Sequence, residues 1–172
     1  MLLGAPFVPM NEEVLKRMIA LLQVRPGEKA ADLGSGDGRV VIALAKAGAR
    51  AQGYEINPFL VFASRRNISA MALEIPSLAP DESKLSPVDS LEIIRHAGVA
   101  TQASIHWKNF WKQDLSSLQV VTLFGMPHMM KRLQEKLKRE LKPGARVVSH
   151  QFMFPDWPVS QQESQLYLYR IS

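Results

Sequence analysis

The residues best suited to chemistry in this 172-residue chain are two acids and a cluster of glycines. The segment Asp32-Leu33-Gly34-Ser35-Gly36-Asp37-Gly38 follows a short apolar run and precedes a helical pattern. A glycine-rich turn at that place brings backbone N–H groups close to a ligand, because no Cβ intervenes. Its spacing departs from the G-x-G-x-x-G of dinucleotide-binding turns. The third glycine comes one residue sooner, and Asp32 stands two residues before the first. A carboxylate there repels an anionic pyrophosphate and favours a cation. S-adenosyl-L-methionine, which carries an ammonium and a sulfonium and no phosphate, suits that charge. Glu55 comes 23 residues after Asp32, near the roughly 20-residue offset at which a carboxylate meets ribose hydroxyls. Its two oxygens match a vicinal 2′,3′-diol. Asp32, Gly34, Gly36 and Glu55 are therefore expected to hold the cofactor, with Leu33, Ser35 and Gly38 in the same turn and Ile56 beside Glu55.

The elements around these residues repeat a strand–loop–helix pattern. Asn11 is an N-cap, followed by Glu12 and Glu13 where carboxylates favour the helix dipole. Val14, Met18 and Leu22 then mark an apolar face that ends before Arg25-Pro26-Gly27. Ala30–Leu33 reads as a strand, Val40–Ala47 as a helix, Ala51–Tyr54 as a strand, and Pro58 to about Met71 as a helix. Two such units in succession predict a parallel sheet with right-handed crossovers. Ala103–Trp107, Val120–Phe124 and Ala145–Phe152 are further strand candidates. A helix opens at Pro127 and stacks Leu133, Leu137 and Leu141 before Lys142-Pro143-Gly144 stops it. Gln165–Ile171 is expected as a last, antiparallel strand. The fold class is thus α/β and Rossmann-like, mostly parallel, with helices on both faces. Residues 73–98, with three prolines, read as an inserted loop and short helix within one domain spanning 1–172. The stretch 1–24 reads as an N-terminal cap segment and helix.

Composition narrows the function classes. At 47% hydrophobic and 22% charged residues, the chain has the balance of a globular protein. No run approaches the roughly 18 apolar residues of a membrane span. Met1–Met10 lacks the basic start and long apolar core of a signal peptide. The chain contains no cysteine, which excludes disulfides, zinc thiolate sites and cysteine nucleophiles. No metal is expected, and a cytoplasmic location is. The net charge of +5 and pI near 9.6 leave room for an acidic partner, RNA included.

Taken together, Phe7-Val8-Pro9, Asp32 to Arg39, Tyr54-Glu55-Ile56-Asn57-Pro58, Asn109-Phe110-Trp111-Lys112, Val120 to Pro127 and Leu141 to His150 resemble one family. It is a branch of the class I, seven-strand S-adenosylmethionine-dependent methyltransferases. The branch comprises the archaeal protein-lysine methyltransferases and the mitochondrial lysine methyltransferases acting on the ATP synthase c-ring protein and the adenine nucleotide translocase. The resemblance covers nearly the whole chain except 73–98. It implies that Asn109 reads the adenine amino group with Phe110 beside it, that Phe7 closes over the cofactor, and that Phe124 to Pro127 line the methyl-transfer site. Where the family often has Tyr-Val-Pro-Thr, this chain has Phe7-Val8-Pro9-Met10, so a hydroxyl contact is lost. The targeting and anchoring extension of the eukaryotic members has no counterpart in the sequence.

The resemblance implies methyl transfer to a lysine side chain of a protein substrate. A lysine ammonium has no lone pair, so the site must favour the neutral amine, which apolar surroundings encourage. Phe124, Met126, Phe152, Phe154 and Trp157 are candidate walls of such a channel. Phe124, Met126, Pro127 and His150 are the candidate catalytic-site residues, His150 as a proton acceptor or amine holder. His96, His106 and His128 lack supporting context. RNA or a small molecule remains an alternative acceptor, although no Asn/Asp-Pro-Pro-aromatic motif follows the fourth strand. A cofactor-binding scaffold without catalysis is the alternative from another class.

Overall fold

A computed structural model of the chain describes residues 10–73 and 102–172. Phe7 and residues 74–98 of the expected insert lie outside them. The elements are α1 (Glu12–Leu22), β1 (Lys29–Leu33), α2 (Arg39–Lys46), β2 (Arg50–Glu55), α3 (Pro58–Leu73) and β3 (Ala103–Trp107), then β4 (Val120–Phe124), α4 (Pro127–Glu140), β5 (Arg146–His150), β6 (Gln161–Glu163) and β7 (Leu166–Arg170). Asn11 caps α1 by accepting a hydrogen bond from Glu13 N–H at 2.8 Å, and the helix stops where Gln23 turns left-handed at φ 48°.

The strands form one sheet in the order β3-β2-β1-β4-β5-β7-β6. All neighbouring pairs from β3 to β5 are parallel, and β7 is antiparallel to both β5 and β6. Alternation along each strand splits the core into two layers. Ala30, Val120, Val148 and Leu168 pack beneath α1 and α2 with Met18, Leu22, Val41 and Leu44. Ala31, Val121, Val147 and Tyr169 face α4, against Leu133 and Leu137.

The antiparallel strand expected near the C-terminus is β7. The sequence reading lacks β6, whose Gln161, Gln162 and Glu163 carry no apolar alternation and sit on the sheet edge. The fifth strand ends at His150 rather than at Phe152, because Gln151 turns to φ 70°. Between β1 and β4 the chain reverses its direction of travel across the sheet. At such a switch point the loops leaving the two strands diverge and open a crevice at their carboxyl ends.

Candidate active site

The crevice at the switch point is lined by the carboxyl ends of β1, β2, β4 and β5 and the loops that follow them. The glycine turn after β1 is tied to β2: Gly34 and Ser35 N–H both donate to the Tyr54 carbonyl, at 2.9 and 3.1 Å. Gly34 sits at φ 86°, a conformation that penalises any residue with a Cβ. Glu55, at the end of β2, clamps the turn from the other side. One of its oxygens accepts from Gly36 N–H at 3.0 Å, and the other accepts from Ile56 and Asn57 N–H, each at 2.8 Å. Three of the roughly four lone-pair directions of a carboxylate thus serve the protein, so Glu55 shapes the site as well as facing it.

Asp32 pairs with Thr122 across the β1–β4 ladder, and the Thr122 hydroxyl donates to Asp32 Oδ1 at 2.8 Å. Burial pushes the Asp32 carboxyl up to about 7 against the pull of that hydrogen bond, and the nearby charges of Glu55 and Asp37 raise it further. Arg39 is engaged locally: it holds Asp37 through Nε and a terminal nitrogen and donates to the Met10 carbonyl at 2.6 Å. The cleft is therefore acidic, with three carboxylates and one neutralised guanidinium along its wall.

These residues fit S-adenosylmethionine. The charge balance favours a cation and disfavours a pyrophosphate, the glycine turn leaves room for close approach, and the buried Ser35 Oγ has no protein partner. Among the described residues, no group of His, Asp or Glu is placed to ligate a metal.

Eleven of the sequence-predicted residues line this one cleft: Asp32, Leu33, Gly34, Ser35, Gly36, Glu55, Ile56, Asn109, Phe110, Phe124 and His150. Asn109 caps the short 3-10 turn Phe110–Lys112, its side chain accepting from Trp111 N–H at 3.0 Å. Phe124 and His150 are register partners at the ends of β4 and β5, with ring centroids 5.5 Å apart. Burial holds the His150 imidazole below its ordinary pKa.

Other predicted residues lie elsewhere. Gly38 is behind the loop against Ser64 of α3. Met126 is the N-cap of α4 and Pro127 its exposed first residue, and neither lines the cleft. Met129, one helical turn along, does. Phe154 and Trp157 belong to the core and not to a channel: they pack on Tyr169 at 4.9 and 5.1 Å, and the Tyr169 hydroxyl accepts from Phe154 N–H. Phe152 touches Phe124 edge-on at 6.1 Å without reaching the cleft lining.

Sequence reasoning misses Thr122, Gly53, Trp111 and Met129. Only Gly53 carries a signal, since a glycine inside a strand marks a close approach. The basic face of α4 is largely engaged nearby: Arg132 lies 4.5 Å over Trp111, Lys138 lies 5.3 Å over Trp157, and Arg139 pairs with Glu140.

The strand order, with β7 alone reversed, and the acidic glycine-lined cleft define a class I, Rossmann-like methyltransferase fold. A family profile described as the ANTKMT methyltransferase domain matches residues 81–161. The chain is 37% identical over 152 residues to the lysine N-methyltransferase of Rattus norvegicus that acts on the ATP synthase c-ring protein, covering 88% of this chain and 58% of that one. It is 34% identical to the protein-lysine N-methyltransferase of Saccharolobus islandicus, covering 88% of this chain and 80% of that protein. The chain thus spans little more than half the length of the mammalian ATP synthase-directed enzymes it matches. Among solved structures, an RNA methyltransferase from Salinibacter ruber, in complex with S-adenosyl-L-homocysteine, superposes with a TM-score of 0.74 at 32% identity, covering 95% of this chain and 92% of that one. The chain belongs to the family of S-adenosylmethionine-dependent methyltransferases that contains these lysine methyltransferases.

Proposed function

We propose that this chain is a protein-lysine N-methyltransferase. The observation that carries the acceptor class is the 34% identity extending over 80% of the Saccharolobus islandicus protein-lysine N-methyltransferase. The cleft supplies the physical support. When bound, S-adenosylmethionine brings an activated methyl group on a sulfonium. Asp32 and Glu55 hold the cationic and ribose parts, Ser35 offers its unpartnered hydroxyl, and Asn109 with Phe110 flanks the adenine.

The acceptor side is formed by Phe124, Met129 and His150. These apolar walls disfavour the lysine ammonium, so its proton leaves Nζ for solvent before the amine settles in the cleft. The neutral His150 imidazole then accepts a hydrogen bond from Nζ–H and turns the nitrogen lone pair towards the methyl donor. The protein contributes position and electrostatics, which is what an in-line displacement needs.

The likeness to the Salinibacter ruber RNA methyltransferase, together with a net charge of +5, supports RNA as the second reading. Labelled cofactor incubated with a cell lysate, followed by parallel nuclease and protease treatment, separates the two. Label that survives nuclease and is lost to protease is expected, and the reverse pattern rules out the lysine reading. No described helix is long and apolar enough to cross a membrane. A cytoplasmic setting is part of the proposal, tested by fractionating the source cells.

A further inference from the structure

We propose that Thr122 is a positioning residue for cofactor recognition: its hydroxyl holds the buried Asp32 carboxylate as the anion that meets the cationic amino-acid end of S-adenosylmethionine. The inference rests on the methyltransferase reading and adds a residue to it that does not itself line the cleft.

Thr122 is fully buried in the middle of β4, where its neighbours Val120, Val121 and Leu123 are all apolar. A hydroxyl at such a position costs free energy unless it has a partner, and this one has two acceptors in reach. Asp32 Oδ1 is at 2.8 Å and the Ala31 carbonyl at 3.4 Å. A hydroxyl has one proton to donate and two lone pairs to accept with. With Asp32 ionised, the proton points to Oδ1. With Asp32 neutral, the hydroxyl can accept from the acid and turn its own proton to the Ala31 carbonyl. Thr122 therefore satisfies Asp32 in both states, and it favours the ionised one through the shorter, charge-assisted bond.

Among the described residues, no other group competes for this role. The charged groups around Asp32 are Glu55 from β2, Asp37 from the glycine turn, Arg39 from α2 and His150 from β5. Glu55 and Asp37 oppose a negative charge on Asp32, and Arg39 is held by Asp37 and the Met10 carbonyl. Without the hydroxyl, a carboxylate in this acidic pocket takes up a proton and no longer attracts a cation.

Calorimetry of S-adenosylmethionine binding between pH 5.5 and 8.5 tests the inference on Thr122→Val, which keeps the shape and deletes the hydroxyl, and on Thr122→Ser, which keeps the hydroxyl. The valine variant is expected to bind about tenfold more weakly at pH 7 and to regain affinity as pH rises, whereas serine follows the wild-type profile. In an Asp32→Asn background, Thr122→Val should add no further loss. A valine variant with the wild-type affinity and pH profile, equal losses in valine and serine, or additive losses with Asp32→Asn would each overturn it. If the valine variant does not fold, the wild type still decides. Binding at pH 7 in buffers of different ionisation enthalpy should release part of a proton, and release of none overturns the proposal. Failure of the wild type to bind the cofactor at any pH would instead sink the methyltransferase reading itself.

Discussion

Gly53 of β2 leaves the space in which Ser35 of the glycine turn stands. A Cβ on Gly53 would lie 2.6 Å from both Cβ and Oγ of Ser35 and 2.7 Å from Ile105 Cδ1. The cofactor turn is thus seated on a neighbouring strand that has given up its side chain. Gly53→Ala is expected to cost about 1–3 kcal/mol by overpacking, because both obstacles are buried. The turn must shift, so S-adenosylmethionine affinity should fall together with the melting temperature. Pairing the change with Ser35→Gly removes one of the two obstacles and should recover part of the stability. Thermal melts and calorimetry on the two variants check this, and a Gly53→Ala protein that melts and binds like the wild type would refute the packing argument.

Glu55 couples the ligand to the fold in a different way. Its carboxylate gathers Gly36, Ile56 and Asn57 N–H, and Glu55→Gln turns one acceptor into a donor that faces donors. Leaving a buried backbone donor unsatisfied costs about 1–3 kcal/mol. The variant should therefore melt earlier even without cofactor, and should bind S-adenosylmethionine at least tenfold more weakly. Loss of affinity with no change in the apo melting temperature would mean that Glu55 serves the ligand alone.

How much of this could be read from the residues depends on the range of the interaction. The glycine turn and Glu55 are legible because their requirement is local in sequence: a strand, a turn and a helix in a fixed spacing. The parallel strands from β1 to β5 are legible because both faces are buried and the residues are apolar throughout. Met126 and Pro127 look like site residues because they directly follow β4, yet α4 begins there and its first turn carries Met129 to the cleft instead. Phe154 and Trp157 are aromatic and near the end of β5, but Gln151 turns the chain and delivers them to Tyr169. Thr122 reads as an ordinary strand residue, since its partner is 90 positions away and only the β1–β4 register brings them together. Gln161 to Glu163 form a strand solely by pairing with β7, which composition does not encode.

Asp32 makes the apo protein pay for its cofactor. Its carboxyl stands at about 7 in the fold against 3.8 for the free group, chiefly because it is buried. Between about pH 4 and 7 the unfolded chain has released this proton while the folded chain retains it. Stability attributable to Asp32 therefore falls as pH rises through that window and levels off above it. Asp32→Asn removes the titration. Its melting temperature without cofactor should exceed that of the wild type by at least about 3 °C at pH 8, the shift that roughly 1 kcal/mol produces in a chain of this size. The gap should shrink by pH 5. The same variant should lose stabilisation by S-adenosylmethionine, since binding linkage requires affinity. Melts at the two pH values, with and without cofactor, check both halves, and an Asp32→Asn protein less stable than the wild type at pH 8 would contradict the burial argument.

His150 sits at the opposite end of the cleft, 5.5 Å from Phe124 and half-buried at the end of β5. Burial lowers its pKa below 6.5, so at neutral pH its ring is uncharged and has a lone pair to offer. As pH falls through the lowered pKa, the ring gains a proton, loses that lone pair and places a positive charge where a lysine side chain must approach. Methyl transfer by the wild type should accordingly carry an acid limb with its midpoint below 6.5, superimposed on the rise with pH that the substrate amine itself imposes. His150→Phe keeps the aromatic contact with Phe124 and removes both the acceptor and the titration. It should lower kcat by about tenfold or more, within the range a positioned acid–base group supplies. It should also abolish the acid limb, while cofactor affinity changes by no more than about threefold, since Asp32 and Glu55 lie on the far side of the site. His150→Gln, which can still accept a hydrogen bond but cannot titrate in this range, should regain part of kcat and still lack the limb. Steady-state rates from pH 5.5 to 8.5 with a protein acceptor decide the matter: an acid limb that survives in His150→Phe belongs to another group and takes the role away from His150.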